Sequence, residues 1–383
     1  MIPKFVYELR NHHPTGAIAE RLEDVEYQLR ALWGLWAYRT DCGAYRAAQE
    51  FARRFTVIAE RQVDSFDVFI GYRITAISLH YLGDQVHARR HLEIVLRRYA
   101  PPQDSSDTFR FLVDQRVMAQ MILARILWLQ GYPDQAQRTS EAAIEAARSS
   151  DHVMTLCNAL ADAECMVALW RGDLPAAERS VALLLDNAAK HGLPVLHIRG
   201  RCLQGILLVR SGDVAGGLRL FGAALNDLRA TRSALRYVIF LAAQAEALAA
   251  AGDIARGRAA IEEAIARAEH DEESWCMAEL LRVKGEIVLM EGAPAAATTA
   301  EDCFRTALDW ARRQGTLSWE LRVAASLARH WLSQARFKEA HQLLAPIYGR
   351  FSEGFETADL KTAEALIEDL RSPCDGRPGR KVE

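Results

Sequence analysis

Glycine residues recur along this chain at a nearly constant interval of about 40 residues. Successive turn glycines are 40, 48, 41, 40, 40 and 40 residues apart. A fixed period of this size is typical of stacked helical repeats, in which each unit contacts only its neighbours and the chain grows without separate cores. The turns are Cys42-Gly43, Gly83-Asp84, Gly131-Tyr132, Gly172-Asp173, Gly212-Asp213, Gly252-Asp253 and Gly292-Ala293.

Small residues flank each of these glycines at fixed distances. Seven residues before the glycine the chain has Ala76, Ala124, Cys165, Gly205, Ala245 and Gly285, and five residues after it Ala48, Ala88, Ala136, Ala177, Gly217 and Gly257. Two antiparallel helices joined by a tight turn can approach closely only where the facing positions lack bulk. Asp173, Asp213 and Asp253, each directly after a turn glycine, can cap the next helix. The pattern therefore predicts pairs of helices joined by glycine turns.

This arrangement resembles the tetratricopeptide repeat, in which each unit consists of a helix A, a glycine turn and a helix B. The units here are longer than usual, and helix A mostly lacks the aromatic and leucine residues of the consensus. The predicted fold is an all-α, right-handed tetratricopeptide-like solenoid of about eight helix-turn-helix units with a period near 40 residues. We expect an entry segment over 1–21, the repeat domain over 22–370 and a disordered tail over 371–383. An insertion between Tyr99 and Thr108 explains the single interval of 48, and a final unit is predicted to turn near Ala335.

Longer segments resemble the C-terminal region of large bacterial ATPase-type transcriptional regulators. They are LWGLWAYRTDCGAYRAA from Leu32, ARILWLQGYPDQA from Ala124, WCMAELLRVKGEIVLMEG from Trp275, AEDCFRTALDWARRQGTLSWELRVAASLARHW from Ala300 and LLAPIYGRFSEGFETADLKTAEALI from Leu343. In that family a winged-helix or adenylate-cyclase-like domain and a P-loop ATPase precede a tetratricopeptide-like region. This chain has no G-x-x-x-x-G-K-[ST] motif, so the ATPase and DNA-binding activities are not carried over. The resemblance implies a sensor or scaffold arm alone.

Composition excludes several other classes of function. The net charge of −3, with both signs intermixed, provides no general positive field for nucleic acid. No run of 18 or more apolar residues occurs and the N-terminus lacks an apolar signal segment, so we expect a cytoplasmic protein without a membrane span. The seven scattered cysteines lack a C-x-x-C pair and are interpreted as inert thiols.

Residues on helix A of each unit are the candidate binding surface. In the tetratricopeptide superhelix, positions about 13, 10, 6 and 3 residues before the turn glycine line a concave groove. This template selects Arg73, Arg125, Trp128, Asp162, Trp170, Arg199, Glu246, Glu279, Arg282 and Glu286. Mixed charges with two tryptophans suit a peptide or another domain of the same protein better than a polyanion. Glu279, Arg282 and Glu286 could instead form ordinary ion pairs along one helix.

Other features have structural interpretations. His87 and His91 are four residues apart, as two metal ligands could be, but no third ligand is evident and a solvated basic face is favoured. Most of the eight tryptophans are expected in the core between helices. The segment from Phe351 to Leu360 is interpreted as a cap over the final repeat, with Thr357 starting a last helix.

We therefore expect a protein-interaction or ligand-sensing arm of a bacterial signalling or transcriptional regulator. Its partner would be a protein, a peptide, an ATPase or DNA-binding module in cis or in trans, or a small effector. A stand-alone scaffold without a switch is the alternative. No catalytic constellation is legible, and neither cofactor nor metal is expected.

Overall fold

The computed structural model describes residues 24–62, 65–98, 113–231 and 233–371, and these form seventeen α-helices. The first eight helices are α1 (Val25–Asp41), α2 (Tyr45–Ala59), α3 (Ser65–Tyr81), α4 (Gln85–Arg98), α5 (Gln115–Leu129), α6 (Pro133–Ser149), α7 (Val153–Arg171) and α8 (Leu174–Lys190). The next are α9 (Pro194–Arg210), α10 (Val214–Thr231), α11 (Tyr237–Ala250), α12 (Ile254–His270) and α13 (Met277–Glu291). The last are α14 (Ala296–Gln314), α15 (Leu317–Ser333), α16 (Phe337–Tyr348) and α17 (Ala358–Arg371).

Sixteen of these helices form eight antiparallel pairs, and α17 closes the stack, which confirms the predicted helical solenoid. Each predicted turn glycine lies between the two helices of a pair with a positive φ. The last pair turns at Ala335, which also has a positive φ, of 60°. The predicted entry segment, the insertion between Tyr99 and Thr108 and residues 372–383 of the predicted tail lie outside the described residues, whereas Arg371 ends α17.

Local sequence explains how the helices begin. The carboxylates of Asp173, Asp213 and Asp253 accept hydrogen bonds from the backbone N–H three residues on, at 3.0, 2.8 and 3.3 Å. Each bond satisfies one of the amides that a helix N-terminus leaves unpaired. Pro133 adds to this pattern at the first position of α6, where its missing N–H costs little.

The small residues beside each turn are buried where the paired helices touch. A Cβ built on Gly217 would lie 2.8 Å from the carbonyl oxygen of Gly205, and one on Gly257 2.8 Å from that of Ala245. Helix backbones therefore approach directly at these positions, and a larger side chain would separate them. This contact is the physical basis of the small-residue pattern.

The stack curves so tightly that its second half returns onto the turns of its first half. A Cβ added to Gly131 would lie 2.7 Å from Leu317 Cδ2, and one added to Gly172 would lie 2.7 Å from the Cβ of Ala358. At Gly212 and Gly252, in later units, no atom lies within 4 Å of the added carbon. The turns of the first four units are therefore covered by later units, whereas the turns of the next three are open.

The segment between α16 and α17 forms hydrogen bonds with the start of α6, in the third helix pair, and so stabilises this closure. One carboxylate oxygen of Glu353 accepts hydrogen bonds from the backbone N–H groups of Asp134 and Gln135, both at 2.9 Å. Asp134 in turn accepts the Gly354 N–H at 3.0 Å and pairs with Arg171 at 2.9 Å. Glu353 thus caps a helix about 220 residues away in the chain, a role beyond the predicted cap over the final repeat.

One helix in the described part of the chain, Val153–Arg171, is long and apolar enough to cross a membrane by length and composition alone. Of its most apolar window, 72% is buried inside the protein. Residues Leu160–Glu164 of this helix are π-helical. Such widened turns are frequent near functional sites, and Asp162 lies within this one.

Candidate ligand cavity inside the superhelix

A cavity of about 350 Å³ lies inside the superhelix, among the first helices of units 1 to 5 and the segment before α11. Its walls are mainly aromatic and aliphatic, and a small number of charged and hydroxyl side chains interrupt them. A size of a few hundred Å³ and a mostly apolar lining are typical of small-molecule sites. The apolar lining includes Trp33, Trp36, Ile77, Met118, Ile122 and Met154.

One wall of the cavity is also a contact across the superhelical closure. Asp41, at the end of α1, accepts a hydrogen bond from the Ser233 hydroxyl at 2.7 Å, and its carbonyl accepts the Ala234 N–H at 2.7 Å. Arg199 donates to Ser233 Oγ at 3.3 Å and lies 3.9 Å from the Asp41 carboxylate. Asp41, Ser233 and Arg199 all line the cavity. A molecule in the cavity would therefore touch the same side chains that hold the end of α1 against the segment before α11.

Asp162, a second charged group on the cavity lining, is compensated by Arg236, which does not itself line the cavity. Its Oδ1 lies 2.8 Å from Nε of Arg236. Burial acts to lower the pKa of Arg236, but the Asp162 carboxylate, together with Tyr81 and Tyr45, outweighs burial and the pKa is raised. Arg236 is held at φ 66°, in the left-handed region that non-glycine residues rarely adopt. Strain of this kind persists only where surrounding contacts enforce it.

Arg73, on α3, lacks such a partner. Its side chain is 1% exposed, Nε and Nη2 make no hydrogen bond, and no carboxylate of the described residues lies within 4 Å. Its guanidinium lies 5.5 Å from the ring centroid of Trp36, whose Nε1 donates to Ser78 at 3.0 Å. Burial lowers the pKa of Arg73 to about 9, so the group remains charged at neutral pH. The buried Thr40 hydroxyl, also on the lining, makes no hydrogen bond either.

Arg125 lies against Tyr81, which lines the cavity, and against Trp275. Its guanidinium lies 4.8 Å from the ring centroid of Trp275 and 5.6 Å from that of Tyr81. Buried Glu273 accepts a hydrogen bond from Trp275 Nε1 at 2.8 Å and one from the Tyr45 hydroxyl at 3.4 Å. Burial raises the pKa of Glu273 to about 7, because the surrounding hydrogen bonds and Arg125 only partly compensate for desolvation.

Further along the superhelix the interior is filled. The guanidinium of Arg322 lies between Trp128 and Trp319, 5.0 and 5.1 Å from the two ring centroids, and pairs with Asp359 at 2.7 Å. Arg282 forms a two-point pair with Glu279, at 2.8 and 2.9 Å. Charges here are matched, and only about 50 Å³ of space remains beside them.

The ten groove residues selected from sequence fall into three places. Arg73, Asp162 and Arg199 line the large cavity, and Arg125 lies against Tyr81 of that lining and against Trp275. The other six lie in or beside the filled region, where Arg282 pairs with Glu246 at 2.8 Å and lies 3.8 Å from Glu286. They are Trp128, Trp170, Glu246, Glu279, Arg282 and Glu286.

Several cavity residues were missed by the sequence template. Trp33 and Thr40 stand 10 and 3 residues before Gly43, so the template applied to the first turn would have selected them. Asp41 and Ser233 carry no such signal, because they meet only through the closure, 192 residues apart in the chain.

Outside the cavity, the other candidate groups have local partners. His87 Nδ1 lies 2.8 Å from the Asp84 carboxylate on an exposed helix start, and the ring of half-buried His91 lies 5.3 Å from that of Tyr72. Burial raises the pKa of the Cys157 thiol to about 11 and that of Cys202 to about 12. Thiols of this kind react poorly, because the thiolate is the nucleophile.

Comparison with known proteins supports the fold. No family model and no curated protein matches the chain. Among solved structures, a Rap protein in complex with the Competence and Sporulation Factor superposes with a TM-score of 0.57 at 11% identity, over 90% of this chain and 98% of that one. NprR in complex with its cognate peptide NprX gives 0.53 at 10% identity, over 90% and 97%. The apo form of RapI gives 0.50 at 8% identity, over 79% and 99%.

These similarities establish a tetratricopeptide-like helical repeat protein. At such low identity they describe the fold alone. The distribution of charge inside the superhelix must therefore be interpreted from this chain's own residues.

Proposed function

We propose that this chain is the ligand-sensing arm of a bacterial cytoplasmic signalling or transcriptional regulator. The observation that carries the proposal is the shared wall: Asp41, Ser233 and Arg199 line the cavity and also form the contact that closes the superhelix. A ligand in the cavity would touch the closing groups directly. Its binding energy would therefore differ between the closed and the opened protein.

That difference is what a sensor needs. A ligand shifts a conformational equilibrium only by as much as its affinities for the two states differ. In the mechanism proposed here, occupancy favours one state of the closure, and the outer surface then presents a different face to an ATPase or DNA-binding module, in cis or in trans. The resemblance to ATPase-type regulators supports this kind of partner. No catalytic step is assigned to the chain.

The test compares protein partners captured by closed and opened forms. Asp41→Ala removes the carboxylate that accepts from Ser233, and hydrogen exchange at the Ala234 amide reports whether the closure has opened. Asp213→Ala is the matched control, because this aspartate caps a helix at an open turn. Each form is used as bait in cytosol from the source organism.

A switch predicts at least one partner retained by wild type and Asp213→Ala but lost or gained with Asp41→Ala. Equal capture by all three forms, with the Ala234 amide measurably opened in Asp41→Ala, would favour a scaffold without a switch. Capture of no protein by any form would refute both interpretations.

A further inference from the structure

The polar groups of the cavity specify one class of ligand. Among the residues that the structure describes, four charged side chains line it, and three are compensated: Arg199 lies next to Asp41, and Asp162 pairs with Arg236. Arg73 is the one of these four that keeps an unmatched charge. An unpaired buried charge is costly, and such a group is usually satisfied by a counterion or a bound ligand. The cavity therefore has one unused positive charge within an apolar lining.

A singly charged carboxylate matches this arrangement better than a phosphate does. The planar guanidinium fork binds a carboxylate with two parallel hydrogen bonds. A dianion would leave one negative charge unmatched, beside the carboxylates of Asp41 and Asp162 on the same lining. Thr40, whose buried hydroxyl on the lining makes no hydrogen bond among the described residues, can donate its O–H to the second face of a carboxylate.

The rest of the lining suits an apolar body. Tryptophan, isoleucine and methionine side chains form most of it. Several of the remaining polar groups are already bonded: Asn158 Nδ2 donates to the Met154 carbonyl at 2.9 Å, and the Thr231 hydroxyl to that of Leu228 at 2.7 Å. A peptide backbone would bring N–H and C=O groups that find few partners here, at a cost in desolvation.

We propose that the cavity binds a small non-peptide molecule with one carboxylate and an apolar tail, the carboxylate on Arg73 and Thr40 and the tail against Trp33 and Trp36. This inference rests on the proposed sensing function and names the chemical class of its ligand. Arg73 is the specificity-determining residue. It holds the anionic head, and the apolar wall accepts tails of differing shape.

The experiment uses three probes of equal chain length: octanoate, 1-octanol and octylammonium. Binding to the full chain is measured by titration calorimetry, and the fluorescence of Trp33 and Trp36 reports occupancy. Because a charge-assisted hydrogen bond is worth a factor of ten or more, octanoate should bind wild type at least about tenfold more tightly than octanol. Octylammonium should bind most weakly.

Three variants locate the effect. Arg73→Met should abolish the preference for octanoate over octanol, and Arg73→Lys should retain part of it. Arg256→Met, which removes an exposed charge far from the cavity, should leave it unchanged. The melting temperature of ligand-free Arg73→Met should equal or exceed that of wild type, because the variant removes an unpaired buried charge. An arginine with a purely structural role predicts a lower melting temperature and unchanged probe binding.

The proposal would be overturned by equal binding of octanoate and octanol to wild type, by absence of octanoate binding at millimolar concentration, or by an unchanged preference in Arg73→Met. Tighter binding of N-acetyl-leucyl-leucine than of octanoate would overturn the non-peptide class. These outcomes are separate from those of the partner-capture test. If the chain prefers octanoate but wild type and Asp41→Ala capture the same partners, the proposed ligand class stands and the proposed switch is wrong.

Discussion

Closure of the superhelix can be tested at two glycines with nearly the same backbone but different surroundings. Gly131 has φ +87° and Gly252 has φ +89°, so replacing either by alanine imposes the same left-handed strain of about 1–2 kcal/mol. The gain from restricting the unfolded chain is also shared. Only the environment of the added methyl group differs between the two variants.

At Gly131 that methyl group meets the second half of the protein. It would lie 2.7 Å from Leu317 Cδ2 and 3.1 Å from Phe351 Cε1, both on buried side chains. At Gly252 it would have no neighbour within 4 Å. Overpacking a well-packed site costs about 1–3 kcal/mol. Because the strain and the unfolded-state gain are common to both variants, we expect Gly131→Ala to lose about 1–3 kcal/mol more free energy of unfolding than Gly252→Ala.

Urea unfolding followed by far-UV circular dichroism gives the two losses, and hydrogen exchange shows where they act. Gly131→Ala should increase exchange around Leu317 and Phe351, whereas Gly252→Ala should leave those segments protected. Equal losses in the two variants, with no local change near Leu317, would show that the third turn is not covered by α15, and the closure argued here would be wrong.

Three further predictions concern single contacts. Glu273→Gln should remove a pH dependence. A folded-state pKa of about 7, against an ordinary value of 4.5 in the unfolded chain, means that wild type loses about 3 kcal/mol of stability as pH rises from about 4.5 to 7. In urea titrations the variant should therefore be the more stable at pH 8 and similar to wild type at pH 4. Ala245→Leu should cost about 1–3 kcal/mol by overpacking in thermal unfolding, while Ala250→Leu on the exposed face should change little. Glu353→Ala should lose about 1 kcal/mol, because it uncaps a helix of the third unit; an equal loss from exposed Glu356→Ala would contradict that role.

The sequence predicts the parts of this fold that repeat. Glycine at seven of the eight turns, aspartate after four of those glycines and small residues on both sides meet local requirements of a helix pair, so they recur along the chain. The number of units and the positions of their turns follow from them. Gly257 illustrates the point, because its missing side chain is explained by the carbonyl of Ala245 directly opposite.

The closure could not be predicted in the same way, because it joins residues that do not repeat. Asp41 and Ser233 are 192 residues apart, and Glu353 meets Asp134 and Gln135 from a different superhelical turn. Their contact depends on the small rotation between successive units, accumulated over five of them. Single-sequence periodicity gives the class of solenoid but not that rotation.

Equivalent positions of the repeat then provide an internal comparison for the site. Arg73 and Arg282 both stand ten residues before their turn glycine, and both are buried. Around Arg282 the chain supplies a two-point pair with Glu279 and a further contact to Glu246. Around Arg73 it supplies an apolar cavity and no carboxylate within 4 Å among the described residues. If both arginines served only to hold helices together, the unpaired one would carry a cost in desolvation that its counterpart avoids. That cost is explained if the missing carboxylate arrives with a ligand, because binding then supplies at Arg73 what Glu279 supplies at Arg282.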